Sequence, residues 1–241
     1  PERRNALTLD MWQGIPEILQ AFDADPEVRV VIIAGAGDKA FVSGADISQF
    51  ESERSTSEAD ARYSALTDLA IGTLERLPKP TIAMIRGFCI GGGLAVALAC
   101  DLRIAAEDAK FGIPAARLGL GYGFEGVRRL VAIVGPAYAS EVLFTARHID
   151  AGDALRMGLV NKVVGVDDLE STARSYATQI AGNAPLTIRA SKLAIKEALK
   201  DPDARELSAL DAAIAACFES EDFREGRRAF LEKRKPRFQG K

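Results

Sequence analysis

Residues 80–101 carry the strongest constraint in this 241-residue chain. Thr81-Ile82-Ala83-Met84-Ile85 is β-branched and apolar, as a buried strand should be. Three consecutive glycines, Gly91, Gly92 and Gly93, are followed by Leu94 to Cys100, an apolar run of good helix formers with no polar face. The pattern predicts a strand, a tight backbone turn and a buried helix whose first N–H groups lie around Gly91–Gly93. A helix start stripped of side chains lets a ligand oxygen approach those N–H groups, and the helix dipole adds positive potential there. A close-packed strand-to-helix junction with no ligand would use the same residues.

A chain of this length can bury a full core, and a composition of 48% hydrophobic and 27% charged residues is that of an ordinary soluble protein. The net charge of −3 supplies no general electrostatic reason to bind nucleic acid or an acidic membrane. The longest apolar run, residues 88–100, contains three glycines and is too short to span a bilayer. No signal peptide is visible. Cys89, Cys100 and Cys217 make neither a disulfide framework nor paired metal-ligand spacing, and His148 is the single histidine. These features predict a cytoplasmic protein with no metal.

Taken in order, Thr8 or Asp10 should cap a helix to about residue 24, with Leu9, Trp12, Ile15, Leu19 and Phe22 on its apolar side and a kink allowed at Pro16. A strand is expected over 28–34, a short extended piece and turn over 40–47, and a helix over 58–77. Pro78-Lys79-Pro80 ends that helix. After residue 101 come strands over 102–105 and 109–113, then a glycine-rich loop to Gly126. Helices follow to Gly135, over 136–145 and over 150–157. A strand over 160–164, a helix over 168–182 and a wholly helical remainder complete the chain. Strand–helix alternation thus gives way to helices alone, an α/β class.

Several candidate sites have little support. Gly121-Tyr122-Gly123-Phe124-Glu125-Gly126 matches GxGxxG formally, but no convincing strand precedes it. His148 sits in a polar turn, as a solvated histidine would. The basic stretch over 232–237 reads as a solvated terminal charge run. Two glycine-containing turns remain, Ser43–Asp46 and Gly91–Gly93, each after a hydrophobic strand. Side by side they could each give one N–H to a single oxygen, an oxyanion hole suited to a carbonyl that becomes an enolate or tetrahedral anion.

These residues resemble the crotonase superfamily, the enoyl-CoA hydratase/isomerase family, along nearly the whole chain. The likeness is carried by Arg3-Arg4-Asn5-Ala6-Leu7, Ser43-Gly44-Ala45-Asp46-Ile47, residues 80–101, Phe111-Gly112-Ile113-Pro114, Gly158-Leu159-Val160, Glu225-Gly226 and Phe230-Leu231-Glu232-Lys233. It implies a crotonase-like spiral of ββα units over residues 1–182, lacking its first strands, and a helical trimerisation region over 183–241. It implies trimers or dimers of trimers. Coenzyme A belongs to the substrate, and no separate cofactor is expected. The thioester carbonyl would be held by the N–H groups of Ala45 and Gly92. Arg3, Arg4, Ala6, Ser43, Asp46 and Ile47 would line the coenzyme A path, with Phe230 and Lys233 completing it, often from a neighbouring subunit.

The same resemblance marks two departures. Family hydratases carry glutamates at the positions of Ala95 and Ala115, where they hold water and shuttle the proton. Alanine can do no acid–base work. Tyr122 and Glu125 lie where other superfamily members keep alternative catalytic groups. Tyr122 resembles the methylmalonyl-CoA decarboxylase branch, which has a histidine at the position of Ala45. Glu125, if buried beside the thioester, would have the raised pKa of a general base. The sequence therefore allows hydration or isomerisation, decarboxylation of a malonyl-type thioester, or a non-catalytic acyl-CoA- or RNA-binding homologue.

Overall fold

The computed structural model describes residues 2–45 and 56–241. Its first helix, α1 (Leu9–Ala24), is capped by the Thr8 hydroxyl, which accepts the Met11 N–H at 3.3 Å, and it buries Trp12 and Leu19. Pro16 lies inside α1 without breaking it.

The chain then repeats one unit, laying a strand in each of two sheets before turning into a helix. The first pass is β1 (Val31–Ala34), β2 (Ala40–Val42) and α2 (Ser57–Arg76). The second is β3 (Thr81–Ile85), β4 (Phe88–Ile90) and α3 (Gly92–Ala99), and the third is β5 (Leu102–Ala106), β6 (Lys110–Gly112) and α4 (Phe124–Thr145). Short elements β7 (Ile149–Asp150), α5 (Ala151–Arg156), β8 (Lys162–Val164) and α6 (Leu169–Ala181) follow. One sheet has the order β1-β3-β5-β8 and is parallel throughout. The other has the order β2-β4-β6-β7, parallel until β7 reverses direction.

The expected turn from strand 81–85 straight to the glycines is corrected here, because β4 intervenes in the second sheet. Three residues are too few to show a period. Their entry depends on Gly87, whose φ of +60° and close approach to Lys39 (a built Cβ would stand 2.1 Å from its carbonyl oxygen) allow the crossing between sheets. Strand 28–34 contracts to Val31–Ala34. The two helices expected on either side of residue 135 meet at Gly135, where φ 75° and ψ 167° bend α4 ahead of Pro136.

α3 is buried on all sides, as its composition requires. Its C-terminal carbonyls meet a buried cation: Arg103 donates to the carbonyls of Cys100 at 2.8 Å and Ala97 at 3.3 Å, and also to that of the distant Leu159 at 2.8 Å. Cys89 and Cys100 are fully buried, and burial pushes the Cys100 thiol up to about 12, so neither is a nucleophile.

Beyond α6 the chain is helical: α7 (Pro185–Ala198), α8 (Leu207–Glu219) and α9 (Glu221–Leu231). The terminal segment folds back over α9. The buried Asp222 carboxylate accepts the Gln239 and Gly240 N–H groups at 2.7 Å each, and Arg29 donates to the Phe238 carbonyl at 2.7 Å.

Candidate functional site

Gly91 starts α3 in a conformation, φ 54° and ψ −114°, that disfavours any side chain. Its own N–H donates across the sheet to Gly112 at 2.8 Å, and the first intrahelical bond runs from the Ala95 N–H to the Gly91 carbonyl at 3.0 Å. The N–H groups of Gly92, Gly93 and Leu94 therefore have no acceptor within the helix. Trp12 and Leu7 wall this turn. A Cβ built on Gly92 would stand 3.2 Å from Trp12 Cζ2 and 3.5 Å from Leu7 Cδ1. Trp12 is held in turn by its indole N–H, which donates to the Tyr63 hydroxyl at 3.2 Å.

The second turn is built by two distant pieces of chain. Ser43 N–H donates to the Arg4 carbonyl at 3.1 Å and Leu7 N–H to the Gly44 carbonyl at 2.9 Å, making a parallel bridge between Leu7 and Ala45. Arg4 and Asn5 reach this position through positive φ values of 53° and 55°. The Asn5 amide fixes the bend by donating to the carbonyls of Ala36 at 2.9 Å and Ala40 at 2.8 Å. In such a bridge Leu7 takes the Gly44 carbonyl, while the N–H of Ala45 itself points to the opposite edge. The two turns lie close together: a Cβ built on Gly91 would lie 3.9 Å from Gly44 Cα.

Arg3, Arg4, Ala6 and Ser43 are thus gathered at the Ala45 turn, with the Ser43 hydroxyl donating to the Arg3 carbonyl at 3.4 Å and the Arg4 guanidinium 5.3 Å from the Phe88 ring centre. Asp46 and Ile47 lie outside the described residues. Phe230 projects from α9 with 83% of its surface exposed, and Lys233 is exposed just beyond that helix.

Ala95 and Tyr122 pack on the same apolar core, of which the buried Ala115 is part. Ala115 sits in a short 3-10 turn, Pro114–Arg117. The Tyr122 ring lies over Gly126: a Cβ there would meet Cε1 at 2.7 Å and the hydroxyl at 3.2 Å. Burial raises the Tyr122 phenol above its ordinary value, and the positive charge of Arg129 opposes that rise. Arg129 is itself held by Glu75, its Nε and Nη2 donating to Oε2 at 3.0 and 2.9 Å. Glu125 does not meet the condition set for a general base: half exposed, it pairs with Arg128 at 2.9 Å.

Sequence reasoning missed Trp12 as a wall of the glycine turn, although a lone tryptophan beside a tight turn is a usable signal. It also missed Glu75 and Arg129, which lie 54 residues apart and follow no motif. Among the described residues no cluster could hold a metal ion, and no helix is long and apolar enough to cross a membrane.

The whole chain, residues 1–241, matches the family model described as enoyl-CoA hydratase/isomerase. The short-chain-enoyl-CoA hydratase of Clostridium acetobutylicum is 41% identical over 235 residues, covering 98% of this chain and 89% of that protein. The crotonyl-CoA hydratase of Syntrophomonas wolfei is 42% identical over 238 residues, covering 99% and 91%. Among solved structures, an enoyl-CoA hydratase/carnithine racemase from Magnetospirillum magneticum superposes with a TM-score of 0.93 at 36% identity, covering 100% of this chain and 90% of that one.

Proposed function

Because the chain belongs to the enoyl-CoA hydratase/isomerase family, we propose that it binds acyl-CoA thioesters and stabilises a thioester enolate or related oxyanion between the Ala45 and Gly92 N–H groups. The observation that carries this reading is the closeness of the two turns, where a Cβ built on Gly91 would lie 3.9 Å from Gly44 Cα. Backbone donors held by the fold at such turns would need little reorganisation as charge develops. Each such donor typically lowers a barrier by about 2.7–4 kcal/mol. Coenzyme A would run past Arg3, Arg4, Ala6, Ser43, Asp46 and Ile47. Phe230 and Lys233 would reach it from a neighbouring subunit in a trimer or dimer of trimers. The exposure of Phe218, Phe230 and Leu231 on the last two helices supports such an assembly.

Hydration through two carboxylates is not the favoured reaction, since Ala95 and Ala115 occupy those positions. A second reading draws on Tyr122, a neutral hydroxyl donor on the same core. In decarboxylation of a malonyl-type thioester the bond from the α-carbon to the carboxylate breaks, carbon dioxide leaves, and the electron pair passes to the enolate held by the two N–H groups. The α-carbon is then protonated. Tyr122 would orient the departing carboxylate.

A panel of acyl-CoA thioesters read by mass spectrometry reports hydration, isomerisation, decarboxylation and hydrolysis together. Turnover of a malonyl-type thioester favours the second reading. Crotonyl-CoA hydration at an ordinary rate would sink the argument from Ala95 and Ala115. Binding without turnover marks a non-catalytic homologue, and failure to bind any acyl-CoA would overturn the site itself.

A further inference from the structure

Away from the glycine turns, α7 carries two lysines one turn apart, Lys192 and Lys196, on the wall of a groove of about 550 Å3. The apolar part of that wall includes Ile180, Ile188, Ile195 and Phe238. The two ammonium groups differ in their partners. Lys192 is buried and ion-paired, donating to the Asp101 carboxylate at 2.6 Å and to the Lys79 carbonyl at 2.9 Å. Lys196 is half-buried, has no ion pair among the described residues, and donates to the Glu75 carbonyl at the end of α2.

We propose that Lys196 is an acceptor site for N-acylation by acyl-CoA thioesters, with the groove taking up the acyl chain. In the step, the neutral Nζ attacks the thioester carbonyl, the C–N bond forms, the C–S bond breaks, and the coenzyme A thiolate leaves. The proton lost by nitrogen neutralises that thiolate, so an amide and free coenzyme A result and no oxidant is needed.

The surroundings enlarge the neutral share of this amine relative to an ordinary lysine. Burial and the charges of Lys192 and Arg76 drive the proton off, Asp101 and Glu75 oppose them, and the balance lowers Lys196 to about 8. Exposed Lys39 and Lys235 lack this environment. Acylation removes the positive charge beside the Glu75 carbonyl. The Glu75 carboxylate holds Arg129, so the modified lysine acts on the end of α2 that supports α4.

The proposal takes its acyl donor from the function proposed above, and the test separates the two. The native protein is incubated with butyryl-CoA across pH 7 to pH 10, digested, and each lysine's acylation rate measured by mass spectrometry. Lys196 is expected to react on the order of tenfold faster than Lys39 and Lys235 near neutral pH, with the advantage shrinking toward pH 10. Equal or slower reaction at Lys196, or an advantage independent of pH, overturns the assignment. Equilibrium dialysis of the same sample against butyryl-CoA reports the glycine-turn site independently. Absent binding with fast Lys196 acylation defeats that site and leaves the lysine assignment standing.

Discussion

The Val42 carbonyl oxygen stands where a side chain on Gly93 would begin: a Cβ built there would lie 2.3 Å from it. This close approach seats α3 against β2. Gly93→Ala must push the two elements apart, at a cost of about 1–3 kcal/mol, and should lose turnover beyond what the stability change explains. Gly14, inside α1, is the contrast, since a Cβ there meets nothing within 4 Å. Gly14→Ala should stabilise by about 0.5–1 kcal/mol. Urea unfolding of both variants checks the pair.

Ala95 follows Gly92 by one helical turn, and Ala115 is the second residue of the 3-10 turn that Pro114 opens. If carboxylates at these two positions are what hydration requires, the double variant Ala95→Glu/Ala115→Glu should gain crotonyl-CoA hydration by about 100-fold over the native protein. Each single variant should gain far less, because one carboxylate cannot both hold the water and return the proton. Product formation by mass spectrometry reads the gain, with thermal unfolding run alongside because Ala115 is buried.

How much of this was legible follows the range of the interactions. The buried helix α3 could be read locally, because Leu94 to Ala99 offers no polar face. Three bare glycines at its start pointed to N–H groups that a ligand oxygen could approach. The strand Phe88–Ile90 could not be read locally, since three residues have no measurable period and their sheet is chosen by Gly87 passing Lys39. The approach of Gly91 to Gly44 joins turns 47 residues apart; the sequence offered the two turns side by side as one possibility, and only the family resemblance named Ala45 and Gly92 as the donors. Glu125 shows what a local reading leaves open. As the lone carboxylate of its segment it invited a catalytic role, yet its partner Arg128, three residues on, keeps it at the surface.

Tyr122 offers a test through pH. Burial favours its neutral form in the fold, with Arg129 opposing. A group whose folded pKa is raised contributes stability that is present below its unfolded value, about 10 for tyrosine, and lost as pH rises through the higher folded value. Spectroscopic titration should find the Tyr122 phenolate appearing later than that of an unburied tyrosine, and Tyr122→Phe should remove that late transition. If the hydroxyl orients the substrate, kcat of the variant falls about 10- to 100-fold with KM nearly unchanged. A loss confined to KM would assign Tyr122 to binding alone.

The pair Lys192–Asp101 ties the C-terminal helices to the core. Asp101 Oδ2 accepts from Lys192 Nζ at 2.6 Å and from the Thr81 N–H and hydroxyl at 2.7 and 2.9 Å, so α7, the start of β3 and the approach to β5 meet at one oxygen. Lys192→Met removes the cation and leaves the carboxylate with the Thr81 donors alone. Breaking a fully buried pair costs about 3–5 kcal/mol. Because the Asp101 side chain is 32% exposed, the lower end or less is expected here. Arg174→Ala breaks the Arg174–Glu170 pair, which is 71% and 65% exposed, and should change stability by less than about 0.5 kcal/mol. Chemical denaturation compares the two, and hydrogen exchange locates the loss. If Lys192 is the tie, amides of α7 and of β3 near Thr81 lose protection together; loss confined to α7 would mean that the core holds Asp101 without it.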